Sequence, residues 1–177
     1  MRSIDIVCVD AHQLGDDAMW WGGFWASGEL YIASVADMVA KVKARLDEDE
    51  GSLNGELRIV GHGSESGQWF GADWVGADEI ANHEKDFKEL AGRFGLGGWM
   101  TLEGCGVGFS IHMMIALSKL VGVPVDGYLA PQYLRVPGYE GRLMRCYDGK
   151  ARAGPPTLKD EVKRVLKKMP RHSGFGL

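Results

Sequence analysis

The stretch ELRIVGHGSESG, residues 56–67, contains a short apolar run that ends at a glycine-flanked histidine, His62. A second stretch, GWMTLEGCGVG at residues 98–108, has the same form but ends at a glycine-flanked cysteine, Cys105. Short apolar runs bounded by glycine are typical of strands that are buried on both faces. The two stretches therefore predict two buried strands, each followed directly by a reactive side chain.

Strand and helix patterns alternate along the chain. Strands are predicted at residues 4–9, 57–61, 99–102 and 123–127, and helices at 35–46, 80–94 and 109–121. Such alternation predicts a mainly parallel central sheet covered on both faces, which is a three-layer α/β sandwich. We expect residues 1–177 to form a single domain of this class.

Four further segments are given a local interpretation. Residues 19–33 are predicted to form a hairpin or elaborated loop, and residues 65–76 a loop with a small hairpin. An edge strand is predicted at 142–147 and a terminal amphipathic helix at 158–169.

Composition excludes several classes of protein. A net charge of −4 argues against a nucleic-acid binder that works by neutralising phosphates. Three cysteines do not predict a disulfide framework, and they favour a reducing compartment. Asp5 and Asp10 break the first apolar run, so we do not interpret it as a signal peptide, and no stretch is long enough to span a membrane. The expected location is cytoplasmic, or outside the cell by export without a cleaved signal peptide.

Three of the candidate functional residues follow predicted strands. Asp10, His62 and Cys105 each stand at the carboxyl end of one. In open parallel sheets, ligands bind beyond the carboxyl ends of the strands. The sequence therefore predicts a site that contains all three side chains.

A cysteine and a histidine at neighbouring strand ends suit nucleophilic catalysis. A thiol attacks a carbonyl as the thiolate, and a nearby histidine can accept its proton and later return it. Gly63 and Gly106 allow a substrate backbone to approach closely. The amides of Gly63 and Cys105 are candidate donors to a developing oxyanion.

The motifs IVGHG (59–63) and TLEGCGVG (101–108) resemble those of the caspase-like (clan CD) cysteine peptidases, most closely the bacterial branches. In that family a histidine-glycine follows one core strand and the nucleophilic cysteine follows the next, roughly 50 residues later. The resemblance implies that Cys105 is the nucleophile, His62 the base, and the amides of Gly63 and Cys105 the oxyanion hole. It further implies a protein or peptide substrate and no cofactor.

Asp10 and Glu103 are the two candidate substrate-binding residues. The end of the first strand helps to form the pocket for the residue before the scissile bond in this family, which implies that Asp10 favours Lys or Arg there. The alternative role for Asp10 is to cap a loop, and Glu103 either lines the cleft or pairs with a cation. Caspases have alanine at the position of Gly104 and glycine at that of Val107, so their specificity for aspartate is not expected here.

Other interpretations stay open. No His and Cys pair has the spacing of zinc ligands, so no metal site is predicted. An α/β-hydrolase would take its histidine from late in the chain, such as His172, but Glu103 and Val107 do not fit the G-x-S-x-G frame. A caspase-like fold can also serve as an inactive scaffold or regulatory binding module, because a fold does not fix a function. The remaining cysteines and His112 are predicted to be buried in the core.

Overall fold

The computed structural model describes residues 4–10, 29–129 and 143–153. These residues form a mixed α/β structure around a seven-stranded sheet. The strands of the whole described structure are β1 (Ile6–Asp10), β2 (Leu30–Ile32), β3 (Glu56–Val60), β4 (Gly63–Ser64), β5 (Gly67–Phe70), β6 (Asp73–Gly76), β7 (Trp99–Glu103), β8 (Val125–Tyr128), β9 (Leu143–Tyr147) and β10 (Lys150–Ala153).

The order of strands in the large sheet is β10-β9-β8-β7-β3-β1-β2. The pairs from β2 through β8 are all parallel, whereas β9 and β10 are antiparallel additions at one side. The mainly parallel α/β architecture predicted from the sequence is thus confirmed. It is compatible with a three-layer sandwich.

In the described part of the chain, three helices pack beside one another against the sheet: α1 (Val35–Glu48), α2 (Glu84–Ala91) and α3 (Ile111–Val121). Helix α1 begins where Ser34 Oγ accepts a hydrogen bond from Asp37 N, 3.0 Å away, which satisfies a free amide of the first turn. Helix α3 ends at Gly122, whose φ of 73° is the left-handed conformation that glycine adopts at no steric cost.

One face of the sheet carries the main core. Side chains that alternate along the inner strands, such as Ile59 on β3 and Leu102 on β7, are fully buried together with those of the helices. The other face carries a small separate cluster of Val9 and Val60 and several polar side chains. The described helices contribute their buried side chains to the first of these two clusters.

Within residues 4–10, 29–129 and 143–153, the predicted strands and helices correspond to observed ones, and four predictions are corrected here and in the next paragraph. Residues 30–32, predicted to lie in a hairpin or loop, form strand β2 parallel to β1. Strand β9 is not an edge strand, because β10 pairs beyond it. The two are joined by Asp148 and Gly149, with φ of 51° and 71°, the signature of a tight primed turn. His112 is exposed on α3 rather than buried.

A three-stranded meander, β4-β5-β6, replaces the single small hairpin predicted at residues 65–76. It leaves the sheet directly after β3 and is fastened to the start of α1, where Val35 N donates to Asp73 Oδ2 at 2.9 Å. A further hydrogen bond runs from Ala72 N to Ala33 O, 2.8 Å away. The meander therefore holds the segment after β3 in a fixed place.

The terminal helix predicted at 158–169 lies outside the described residues. Within the described ranges, no helix is both long and apolar enough to cross a membrane.

Candidate active site

The register of β3 and β7 brings His62 and Cys105 to the same level of the sheet. Val60 pairs with Glu103 at the end of this parallel ladder, and His62 and Cys105 each follow two residues later. Neighbouring strands lie about 5 Å apart. On the other side of β3, Val9 pairs with Val60, so Asp10 comes level with Gly61. The three strand ends thus meet at one edge of the sheet.

The turns that carry His62 and Cys105 touch through their glycines. A Cβ added to Gly63 would lie 2.8 Å from the Cα of Gly104, and a Cβ added to Gly104 would lie 2.9 Å from the Cα of Gly63. Neither contact leaves space for a methyl group. The absence of two side chains therefore brings the histidine and cysteine turns together.

Two hydrogen bonds from β5 hold the histidine turn. Trp69 N donates to the carbonyl of His62 at 2.9 Å. One residue earlier, Gln68 Nε2 donates to the carbonyl of Ile59, 3.0 Å away and within β3. The backbone on both sides of the strand end is thereby fixed by the meander.

The cysteine turn is compact because of two glycines. Gly106 adopts the left-handed conformation with a φ of 68°, directly before a short 3₁₀ turn at Val107–Phe109. Gly108 packs against β8, since a Cβ there would lie 2.4 Å from the carbonyl oxygen of Gly127. Glu65 of the β4-β5 turn lies beside Gly106, where an added Cβ would be 3.6 Å from the Glu65 Cγ. The turn therefore directs the chain from Cys105 into α3.

The two candidate oxyanion donors lie on the touching segments. Gly63 begins β4, in register with Gln68, and its backbone contacts Gly104, which directly precedes Cys105. Sequence reasoning thus identified two amides that the fold places on adjoining turns.

Cys105 differs from the other two cysteines in its accessibility. Cys8 and Cys146 are fully buried, whereas Cys105 is half-buried and His62 is exposed. Burial raises the pKa of the Cys8 thiol far above its ordinary value. Burial, assisted by the charge of Asp126, raises the pKa of Cys146 to about 11. Both of those thiols are therefore held in the unreactive protonated form at neutral pH.

At pH 7 we expect iodoacetamide to modify Cys105 alone, because Cys8 and Cys146 are buried and protonated. Cys146 should begin to react only in strongly alkaline solution, as the pH approaches its raised pKa of about 11. Peptide mapping after limited alkylation measures this order, and the unfolded chain, in which all three thiols should react, is the control. Modification of either buried cysteine before Cys105 would contradict the described packing.

The two candidate substrate-binding carboxylates are buried. Asp10 has no exposed surface and lies beside Gly61, whose added Cβ would be 3.1 Å from that of Asp10. Glu103 is 2% exposed and pairs with Arg58, with 3.3 Å between its Oε1 and the arginine Nη1. Of the two roles considered for Glu103, the structure contains the ion pair. A substrate side chain would have to displace other groups to reach either carboxylate.

Two residues at this edge escaped sequence reasoning. Arg58 pairs with Glu103 and also with Glu56, at 2.6 Å. The spacing of two residues, which puts Glu56 and Arg58 on one face of β3, was a signal for the second of these ion pairs. Gln68 is a single polar residue in a hairpin, and no local pattern distinguishes it. Its position next to Gly63 and Gly104 depends on the path of the meander.

Across residues 4–10, 29–129 and 143–153, no group of three His, Cys, Asp or Glu side chains is arranged to hold a metal ion. Comparisons with models of protein families, with curated proteins and with solved structures gave no match for this chain. The functional argument therefore depends on the geometry of the site itself.

Proposed function

We propose that this protein is a cysteine peptidase of the caspase-like (clan CD) type, with Cys105 as the nucleophile and His62 as the base. The observation that carries the proposal is the contact of the two strand-end turns at Gly63 and Gly104. In support of the proposal, the contact joins the turn that precedes the half-buried Cys105 to the turn that follows the exposed His62. A thiol and an imidazole in that relation can act as nucleophile and proton acceptor.

The proposed reaction has two halves. His62 takes the proton of Cys105, the Sγ forms a bond to the peptide carbonyl carbon, and the carbonyl oxygen becomes an oxyanion that the amides of Gly63 and Cys105 stabilise. The C–N bond then breaks, and the leaving amine takes the proton from His62, which leaves a thioester on Cys105. Water attacks the thioester while His62 accepts its proton, and the new acid leaves as the thiol is restored. No cofactor takes part in these steps.

The substrate in this proposal is a protein or peptide. The carboxylate of Asp10 supports a preference for Lys or Arg before the scissile bond, and the substrate side chain would displace the groups that bury it. A preference for acidic or apolar residues there would refute this part alone.

Incubation with a diverse mixture of peptides, followed by mass spectrometry of the products, tests the proposal. We expect the untreated protein to cleave some of the peptides and the iodoacetamide-treated protein to cleave none, because alkylation blocks the nucleophilic sulfur. An untreated Cys105→Ser variant, purified in the same way, should also cleave none of the peptides and is the control for a contaminating peptidase. Intact peptides throughout, together with an inert Cys105, would favour the inactive scaffold or binding module.

A further inference from the structure

The side chain of Gln68 lies beside Gly104, where the histidine and cysteine turns are in contact. Gln68 is fully buried, although it carries a polar amide, and it pairs in register with Gly63. Buried amide groups are costly unless they form hydrogen bonds. The two ends of this buried amide therefore have to be considered separately, because each carries its own desolvation cost.

One end of the amide holds the strand that leads to His62. Its Nε2 donates to the carbonyl of Ile59 at 3.0 Å. The next residue, Trp69, donates its backbone amide to the carbonyl of His62. Two successive residues of β5, Gln68 and Trp69, thus hydrogen-bond to the backbone before and at His62.

The other end of the amide lies against the turn that leads to Cys105. A Cβ built on Gly104 would be 2.8 Å from Gln68 Oε1 and 3.2 Å from its Cδ. Among the residues that the structure describes, none donates a hydrogen bond to this buried oxygen. The cost of burying this oxygen offsets the stabilisation that the hydrogen bond from Nε2 provides, so the amide adds little net stability here.

We propose that Gln68 is a positioning residue for the Cys105 and His62 pair, an inference that rests on the proposed function. The Nε2 end of its amide holds β3 through the hydrogen bond to Ile59, and the Oε1 end packs against Gly104 and so limits how closely the cysteine turn can approach. It thereby sets the separation of the two reacting side chains without touching a substrate. Displacement by about 1 Å can lower the rate of a positioned reaction by 10²-fold.

A double-mutant cycle on the alkylation rate of Cys105 at pH 7 tests this role. The four proteins are the wild type, Gln68→Met, His62→Ala and the double variant. We expect Gln68→Met to slow alkylation about tenfold when His62 is present, because the pair is no longer held in register. When His62 is absent, the same change should alter the rate by less than about twofold, since there is no pair left to position.

The matched control is Ser118→Ala in the last turn of α3, away from the histidine and cysteine turns. Ser118 is also buried, and its Oγ donates to the carbonyl of Val123 at 2.8 Å, so the variant also loses one buried bond from side chain to backbone. We expect it to lower thermal stability without altering the alkylation rate of Cys105. If Gln68→Met does not fold, Gln68→Leu carries the same cycle, because it also removes the amide, is smaller than Met and adds no buried charge.

The outcomes separate the two proposals. Equal effects of the Gln68 change with and without His62 would mean a merely structural role and would overturn the inference, as would no effect at all. If His62→Ala itself leaves the rate of Cys105 unchanged, the proposed function fails, and the positioning role fails with it. If Gln68→Met lowers the alkylation rate of Cys105 only in the proteins that retain His62, both the proposed function and the positioning role are supported.

Discussion

Cys105→Ala is expected to lower kcat/KM for the best peptide substrate by at least about 10³-fold, and His62→Ala by a similar factor. Without the sulfur no thioester forms, and without the imidazole the thiol keeps its proton. Because the two side chains act as one unit, the double variant should be no slower than the slower single variant. Peptides selected from the mixture, assayed with each purified variant, provide the measurement.

The chain offers a matched control for each change. Cys146→Ala removes a buried thiol from β9, two strands away from β7, and His112→Ala removes an exposed imidazole from α3. Both controls should retain activity at temperatures where they are folded. Full activity of His62→Ala, or a double variant whose loss is the product of the single losses, would contradict a coupled pair.

Gly104→Ala is expected to disrupt both the fold around the site and the chemistry. The added methyl would lie 2.8 Å from Gln68 Oε1 and 2.9 Å from the Cα of Gly63, so one of the two turns must move. Overpacking of this kind costs about 1–3 kcal/mol in the free energy of unfolding. A shift of about 1 Å between the turns should lower kcat/KM by about 10²-fold.

Urea unfolding and peptide hydrolysis measure the two effects of Gly104→Ala. Gly92→Ala is the matched control, because its helical φ of −67° suits alanine and its added Cβ would meet no atom within 4 Å. That variant should keep both stability and activity. If Gly104→Ala behaves like Gly92→Ala, the two turns are not in contact. Caspases have alanine at this position, and in the present structure Gln68 and Gly63 occupy the space that its methyl would need.

Much of the scaffold could be predicted because its signals are local. The helical spacing of Val35, Met38, Val39, Val42 and Leu46 predicted α1, and all five side chains are buried. Glycine after short apolar runs predicted the ends of β3 and β7. From there, the rule that ligands bind at the carboxyl ends of parallel strands placed Asp10, His62 and Cys105 at one edge.

The missed elements lacked a local hydrophobic signal. Strand β2 has only three residues, and β10 reads KARA, with little apolar surface to mark it. The Asp148-Gly149 pair was a usable sign of the β9-β10 hairpin that the sequence interpretation did not apply. His112 was assigned to the core because its neighbours are apolar, yet it occupies the exposed side of α3.

Contacts between distant segments were beyond sequence reasoning. The packing of Gln68 against Gly104 depends on how the β4-β5-β6 meander folds back over β3, which no short pattern encodes. The same holds for the pairing of Arg58 with Glu103, because it requires the register of β3 and β7. Single residues at the edge of the site could be named in advance, but the interactions that hold them could not.

The most direct test of the account is the alkylation rate of Cys105 across pH, measured by peptide mapping on the wild type and on His62→Ala. If the two side chains form a pair, Cys105 should react quickly near neutral pH and at least about tenfold more slowly without His62. The two rates should converge in alkaline solution, where a thiol ionises without assistance. If Cys105 is inert, or reacts at the same rate in both proteins, the pair does not exist, and the glycine-flanked strand ends serve the architecture or a binding role.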